Sequence, residues 1–190
     1  MKRKACFIDR DGVLIEEKNY LSDPANVVLI PGAVEAVKKL HAAGYLVIMI
    51  SNQAGIAKGY FKPEDLQAVE TKLDELLSLE GIALDGKYHC YHHPQGVVPE
   101  YTKVCECRKP APGMLLRAVA DFDLDPAECF MIGDRTSDLE AGFNAGCGAV
   151  AQVYTGHGTK EQFENWKKER RIKTCEAASI GGAVDQLLNF

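Results

Sequence analysis

Three short apolar runs in this chain each end on a polar residue, and that limits what the chain can fold into. Residues 4–8 read as a buried strand leading into Asp9. Residues 45–50 are a fully apolar, strand-length run that stops at Ser51, and 129–132 are a shorter one before Gly133-Asp134. Segments with helical spacing lie between them. Val34, Val37 and Leu40 share one face of a helix predicted over 33–43, which ends at Gly44, a common helix stop. A second is predicted over 63–79, with Pro63 suited to its first turn and Leu66, Val69, Leu73, Leu76 and Leu77 along one side. Further helices are predicted over 112–122 and 137–145, strands within 84–90 and over 148–153, and two helices in the tail over 160–168 and 180–188. Strands alternating with helices imply an α/β domain with a mostly parallel sheet. Ligands of such sheets gather beyond the carboxyl ends of the strands. Asp9, Ser51 and Asp134 can therefore meet in one crevice although they are far apart in sequence.

The 190 residues fit a single domain, with no repeat, low-complexity stretch or linker to divide them. A net charge of −5 argues against a nucleic-acid partner, which calls for clustered Lys and Arg. The most basic run, Lys167-Lys168-Glu169-Arg170-Arg171, is short and is expected to be a solvated helix end. No apolar run approaches the roughly 20 residues that cross a bilayer, so no membrane partner is expected. The basic residues at the start precede an apolar run that stops at Asp9, too short for a signal peptide; a mature cytoplasmic start is expected. Without a heptad pattern or a long apolar stripe, the expected state is a monomer.

Asp9 and Asp11 flank Arg10 and precede Gly12. In an extended segment residues i and i+2 point the same way, so the two carboxylates can face one site, and Gly12 lets the chain turn after them. Such a pair suits a divalent cation and can divide nucleophile and acid/base roles. A solvated acidic turn would look the same in isolation. An EF-hand loop would not, because Val13 and Leu14 stand where it needs an acid or amide and then Gly. Ser51-Asn52-Gln53 adds a hydroxyl and backbone N–H groups able to hold phosphate oxygens. Arg108-Lys109 adds fixed positive charge, and Asp134 and Asp138 add two more carboxylates.

Seven cysteines, an odd number without a secretory signal, argue against a disulfide framework. Cys90-Tyr91-His92 and Cys105-Glu106-Cys107 form two tight pairs. Three thiols and one imidazole suit tetrahedral Zn²⁺, and a closed four-ligand site is structural. His93 rivals His92 as the fourth ligand on spacing alone. Cys6, Cys129, Cys147 and Cys175 lie in apolar or small-residue surroundings and read as buried structural thiols.

Asp9-Arg10-Asp11-Gly12-Val13, Ser51, Lys109 and Gly133-Asp134 through Asp138, in that order, resemble the four motifs of the haloacid dehalogenase superfamily of aspartate-nucleophile phosphatases. The resemblance implies an α/β, Rossmann-like three-layer sandwich over residues 1–190, without a large cap domain. It further implies that Asp9 attacks phosphorus and that Asp11 serves as general acid and then base. Ser51 and Lys109 would neutralise phosphoryl charge. Mg²⁺ would be held by Asp9, the Asp11 backbone carbonyl and Asp134, with Asp138 supporting it through water. In-line positioning and charge neutralisation are what phosphoryl transfer requires.

The segment from Cys90 to Gly96, followed by Cys105-Glu106-Cys107-Arg108-Lys109-Pro110, looks more narrowly like the D-glycero-D-manno-heptose-1,7-bisphosphate 7-phosphatases, which serve nucleotide-activated heptose and lipopolysaccharide synthesis. That likeness implies a zinc-binding loop over 90–107 with Cys90, His92, Cys105 and Cys107 as ligands, bracing Arg108 and Lys109. Glu17, Lys18, Asn19, Tyr20, Ser51, Asn52, Gln53, Ala54, Arg108, Lys109 and Arg135 would line a site for a small phosphorylated sugar. Val13, Ser51 and Arg135 stand where Thr, Thr and Lys are more usual. Arg135 keeps a second substrate open, because the histidinol-phosphate phosphatases carry a similar Gly-Asp-Arg segment and a shorter zinc loop. A non-catalytic zinc-braced binding protein would need the acidic and cationic set to be idle. A phosphomutase would need a cap to exclude water.

Overall fold

The computed structural model describes residues 2–190. Its elements in chain order are β1 (Ala5–Ile8), α1 (Ala33–Ala42), β2 (Leu46–Asn52), α2 (Ala54–Ala57), α3 (Pro63–Leu79), β3 (Gly86–Cys90), α4 (Gly113–Phe122), β4 (Phe130–Gly133), α5 (Thr136–Asn144), β5 (Ala149–Val153), α6 (Lys160–Lys167), β6 (Lys173–Ala177) and α7 (Ile180–Leu187). The strands form one six-stranded sheet in the order β3-β2-β1-β4-β5-β6. Every neighbouring pair is parallel, so the sheet is wholly rather than mostly parallel.

The apolar runs follow from this arrangement. A parallel sheet covered on both faces buries every strand residue, so its strands read as unbroken hydrophobic stretches. In β1, Cys6 and Ile8 point into one core with Val37 and Leu40 of α1, Leu73 of α3 and Val184 of α7. Ala5 and Phe7 point into the other, with Leu115 of α4, Leu139 of α5 and Phe163 of α6. The result is the expected three-layer sandwich, with Cys6, Cys129, Cys147 and Cys175 buried in its layers.

Two expectations need correction. The tail is not two helices alone: β6 lies between them as an edge strand. Only Cys175 of its five residues is buried, so it lacks the apolar signature of the central strands. The basic run is not simply solvated either. Arg170 turns inward to Glu140, with Nε at 2.9 Å from Oε2, and the Trp166 indole N–H donates to the same carboxylate at 2.7 Å. Among the described residues no helix is long and apolar enough to cross a membrane.

β1 lies between β2 and β4 in the sheet, and the chain winds outward from β1 through β2 to β3 on one side and from β4 through β5 to β6 on the other. Ile8 pairs with Met49 of β2 and with Ile132 of β4. The loops after β1, β2 and β4 therefore diverge around one point at the carboxyl edge, where open α/β sheets bind ligands.

Candidate active site

Asp9 follows β1 and stays in register, its N–H donating to the Ile132 carbonyl at 3.0 Å. Its Oδ1 accepts the Arg10 N–H at 2.8 Å and lies 2.8 Å from Lys109 Nζ. Lys109 is buried and comes from the irregular segment after the Cys/His loop. Its ammonium also lies 2.7 Å from Asp138 Oδ1 and donates to the Ile50 carbonyl at 2.8 Å. An ammonium has three N–H groups, and all three are committed. Burial alone would pull the lysine down, but Asp138 and Asp9 hold it well above its ordinary value. The Asp9 carboxyl is raised: burial outweighs Lys109, and the Asp138, Asp134 and Asp11 carboxylates add to the rise.

Asp134 follows β4. Burial, then the nearby Asp138 carboxylate, push it up to about 6. Its Oδ2 accepts the His157 N–H at 2.7 Å, while Oδ1 is buried without a protein partner. Asp9, Asp134 and Asp138 each bring a carboxylate oxygen within 4.8 Å of the others. Hard oxygen donors around an orphaned carboxylate oxygen fit a Mg²⁺ ion. Asp138 is the least available of the three. Its Oδ1 meets Lys109 and its Oδ2 accepts the Arg135 N–H at 2.9 Å, at the start of α5.

Asp11 is gripped from two sides. The Arg10 guanidinium forks onto both its oxygens at 3.0–3.2 Å, and Gln53 Nε2 donates to Oδ2 at 3.0 Å. The same Gln53 amide donates to Ser51 Oγ at 2.7 Å. Ser51 lies within β2 rather than beyond it, since the strand continues to Asn52, and its side chain is buried. Asn52 closes the floor with two contacts to Lys109: Nδ2 donates to its carbonyl and Oδ1 accepts its N–H, at 3.0 and 3.1 Å.

Above this floor opens a cleft of about 660 Å³. Glu17, Asn19, Tyr20, Asn52, Gln53, Ala54, Arg108, Lys109 and Arg135 all line it, as the sequence leads one to expect. Ser51, buried within β2, and Lys18 do not. In the extended segment Lys18 alternates outward with Glu16, their charged atoms 2.6 Å apart. The wall also holds Arg10, Lys58, His93 and His157, which the sequence reading gave no separate role there. Partial burial and the neighbouring Arg108 and Lys58 cations pull the His93 imidazole below its ordinary value. Positive charge thus collects on one rim.

Beside the cleft, the ligand atoms of Cys90, His92, Cys105 and Cys107 lie within 4.8 Å of one another. His92 Nδ1 is 3.4 Å from Cys107 Sγ, and Cys90 and Cys105 Sγ are 3.5 Å apart. Tetrahedral zinc bonds of about 2.0–2.3 Å place ligands at such separations. His93, the rival ligand, instead faces the cleft, its Nδ1 accepting the Gln95 N–H. The two-residue alternation of an extended chain separates the histidines: His92 shares a side with Cys90, and His93 does not. Arg108 Nη1 donates to the His92 carbonyl at 3.3 Å, linking this cluster to the cationic rim.

A family model described as "HAD-hyrolase-like" matches residues 106–175. The chain is 40% identical over 167 residues to a D-glycero-beta-D-manno-heptose-1,7-bisphosphate 7-phosphatase of Pasteurella multocida, covering 88% of this chain and 89% of that one. It is 39% identical over 164 residues to the D-glycero-alpha-D-manno-heptose-1,7-bisphosphate 7-phosphatase of Photorhabdus laumondii, covering 86% and 90%. Among solved structures, the D,D-heptose 1,7-bisphosphate phosphatase of B. bronchiseptica complexed with magnesium and phosphate superposes with a TM-score of 0.83 at 29% identity, over 98% of each chain.

Proposed function

The chain belongs to the haloacid dehalogenase superfamily of phosphatases, and on that premise we propose that it removes the 7-phosphate of D-glycero-D-manno-heptose 1,7-bisphosphate through an aspartyl-phosphate on Asp9. One observation carries the reading: a single cleft has carboxylates at its floor and cations on its rim. The floor suits the phosphate under attack, and the rim suits a second phosphate on the same small molecule. The names of the relatives support heptose as the carrier of both.

The chain's own residues divide the work. Oδ1 of Asp9 is occupied by the Arg10 N–H and Lys109, which leaves Oδ2 to attack phosphorus. Lys109 has no N–H to spare for the phosphate, so its contribution is the field of a buried charge and the fixed position of Asp9. Asp11, held by Arg10 and Gln53 but reachable from the cleft, gives a proton to the leaving alkoxide and then takes one from the hydrolytic water. Mg²⁺ would be held by Asp9, the Asp11 carbonyl and Asp134 with Asp138 behind them, and when bound would neutralise phosphoryl charge so that an anion can approach an anion. Ser51 reaches the phosphate only as part of the Gln53 network. Zn²⁺ on Cys90, His92, Cys105 and Cys107 would brace the rim and take no part in the chemistry. The reading includes a cytoplasmic monomer.

The test is a kinetic comparison of α and β heptose 1,7-bisphosphate with histidinol phosphate. A kcat/KM at least about 100-fold higher for a heptose substrate is expected. Histidinol phosphate hydrolysed as efficiently would overturn the substrate. Asp9→Asn should abolish turnover, and unchanged turnover would overturn the nucleophile.

A further inference from the structure

The turn between β5 and α6, Thr155-Gly156-His157-Gly158, touches both a candidate metal ligand and the mouth of the cleft. The His157 N–H donates to Asp134 Oδ2 at 2.7 Å. Thr155 Oγ1 donates to the Gly12 carbonyl and so ties the turn to the Asp9–Asp11 segment. The flanking positions have no room for a side chain. A Cβ on Gly156 would stand 2.1 Å from Asp134 Oδ2, and one on Gly158 would stand 1.9 Å from the Asp134 carbonyl oxygen. The turn is therefore seated on Asp134 backbone-first, and the His157 ring lies along the cleft wall.

There Nε2 of His157 is 3.2 Å from Glu17 Oε2, across the cleft mouth. Glu17 is itself held, its Oε1 accepting the Asn19 N–H at 2.6 Å. The loop that carries it is preshaped. Asn19 and Tyr20 have φ values of 50° and 65°, unusual for a tyrosine, and persist because the surroundings fix them. Lys58 donates to the Tyr20 hydroxyl at 2.7 Å, and the Tyr60 ring packs edge-on at 4.7 Å. With Nε2 facing Glu17, Nδ1 is the ring atom left to meet a ligand.

We propose that His157, paired with Glu17, is a specificity-determining residue that reads the hydroxyl-bearing carbons between the attacked phosphate and the far end of a sugar phosphate. With the Nε2 N–H directed at Glu17, Nδ1 and the carboxylate oxygens offer acceptors at one point, which the hydroxyl donors of a polyol can satisfy and an aryl phosphate cannot. A site built to pair with hydroxyls penalises a substrate without them, because its own polar groups stay unpaired. The backbone contact to Asp134 sets the distance from the reacting end to this reader through one rigid turn. Rigid support of that kind is what a selective site needs. The inference rests on the heptose bisphosphate reading above.

The test compares heptose 1,7-bisphosphate with p-nitrophenyl phosphate in wild type, His157→Ala and His157→Gln. In His157→Ala, KM for the heptose substrate should rise about tenfold with kcat within about twofold, and the preference over the aryl ester should fall about tenfold. His157→Gln, which keeps a donor for Glu17 and an acceptor for the ligand, should recover most of that preference. In an Asp9→Asn background, calorimetry should show heptose bisphosphate binding weakened by the same factor in His157→Ala. Equal losses on both substrates would reduce His157 to a brace for Asp134 and overturn the proposal. An unaltered heptose KM and binding in His157→Ala, with a wild type that prefers heptose bisphosphate, would overturn it alone. A wild type that does not hydrolyse heptose bisphosphate would overturn the functional reading and this one with it.

Discussion

Lys109 carries its ammonium 2.8 Å from Oδ1 of Asp9, the lysine fully buried and the aspartate exposed only where it faces the cleft. Asp138 takes the other side of the same ammonium at 2.7 Å. One buried cation thus serves two buried anions, and removing it strands both. Breaking a buried pair by deleting one partner costs about 3–5 kcal/mol. Lys109→Met should lower the urea unfolding free energy of the chelator-treated protein by roughly that amount, and kcat by at least about a thousandfold. Added Mg²⁺ should return part of the stability and none of the rate, as paired denaturation and turnover measurements would show.

Asp134 gives a pH signature. Its folded value of about 6 lies above its ordinary carboxyl value of 3.8. A raised carboxyl contributes stability that is present below the unfolded value and is lost as pH rises through the folded one. The chelator-treated protein should therefore melt at progressively lower temperature from about pH 4 to about pH 6 on this account, while Asp134→Asn should lack that component. Mg²⁺, binding the ionised form, should raise the wild-type Tm more at neutral pH than at about pH 5. Melting curves of the two proteins with and without the ion decide it.

The Gly156 position predicts a metal phenotype without the loss of a ligand. A methyl group there would stand 2.1 Å from Asp134 Oδ2, the oxygen that accepts the His157 N–H. Gly156→Ala should raise the Mg²⁺ concentration for half-maximal activity at least about tenfold, because outer-shell contacts typically carry 10–100-fold in metal affinity. Circular dichroism should show the fold retained.

The cysteine cluster predicts composition. Elemental analysis should find close to one zinc per chain, a stoichiometry that follows from one closed four-ligand group. Cys107→Ser should lose it and His93→Ala should keep it. Loss of zinc from His93→Ala protein would show that the fourth ligand is not His92. Because Arg108 donates to the His92 carbonyl, zinc removal should also raise KM for a bisphosphate substrate.

Much of this molecule is legible in the sequence for a definite reason. Strands covered on both faces must be apolar throughout, so β1, β2 and β4 announce themselves, and the polar residue that breaks each run marks the site. β6 escapes because an edge strand needs only Cys175 buried, and Lys-Thr-Cys-Glu-Ala has no pattern to find. The same contrast holds at the site. Asp9, Asp11 and Lys109 belong to compact motifs. Lys58 and His157 arrive on turns, where direction depends on backbone angles that no periodicity records. Arg10 lies in plain view between two aspartates, yet only the fold shows it buried with its guanidinium on Asp11. For His157 a signal did exist in the glycines on either side, which mark a backbone pressed against something.

The strand order has a consequence for how the protein comes into being. Asp9 and Asp134 directly follow adjoining strands, but β1 finds β4 only after the whole of β2, α3, β3 and α4 has been made. Pairings between distant parts of a chain form slowly, because the intervening loop must be closed before any contact repays it. A ribosome-bound fragment ending before residue 130 can form β1, β2 and β3 but still lacks Asp134 and Asp138, two of the three clustered carboxylates. Its β1 edge stays open for just that interval. Catalytic competence is therefore a late event in synthesis, reached when the β1–β4 seam closes.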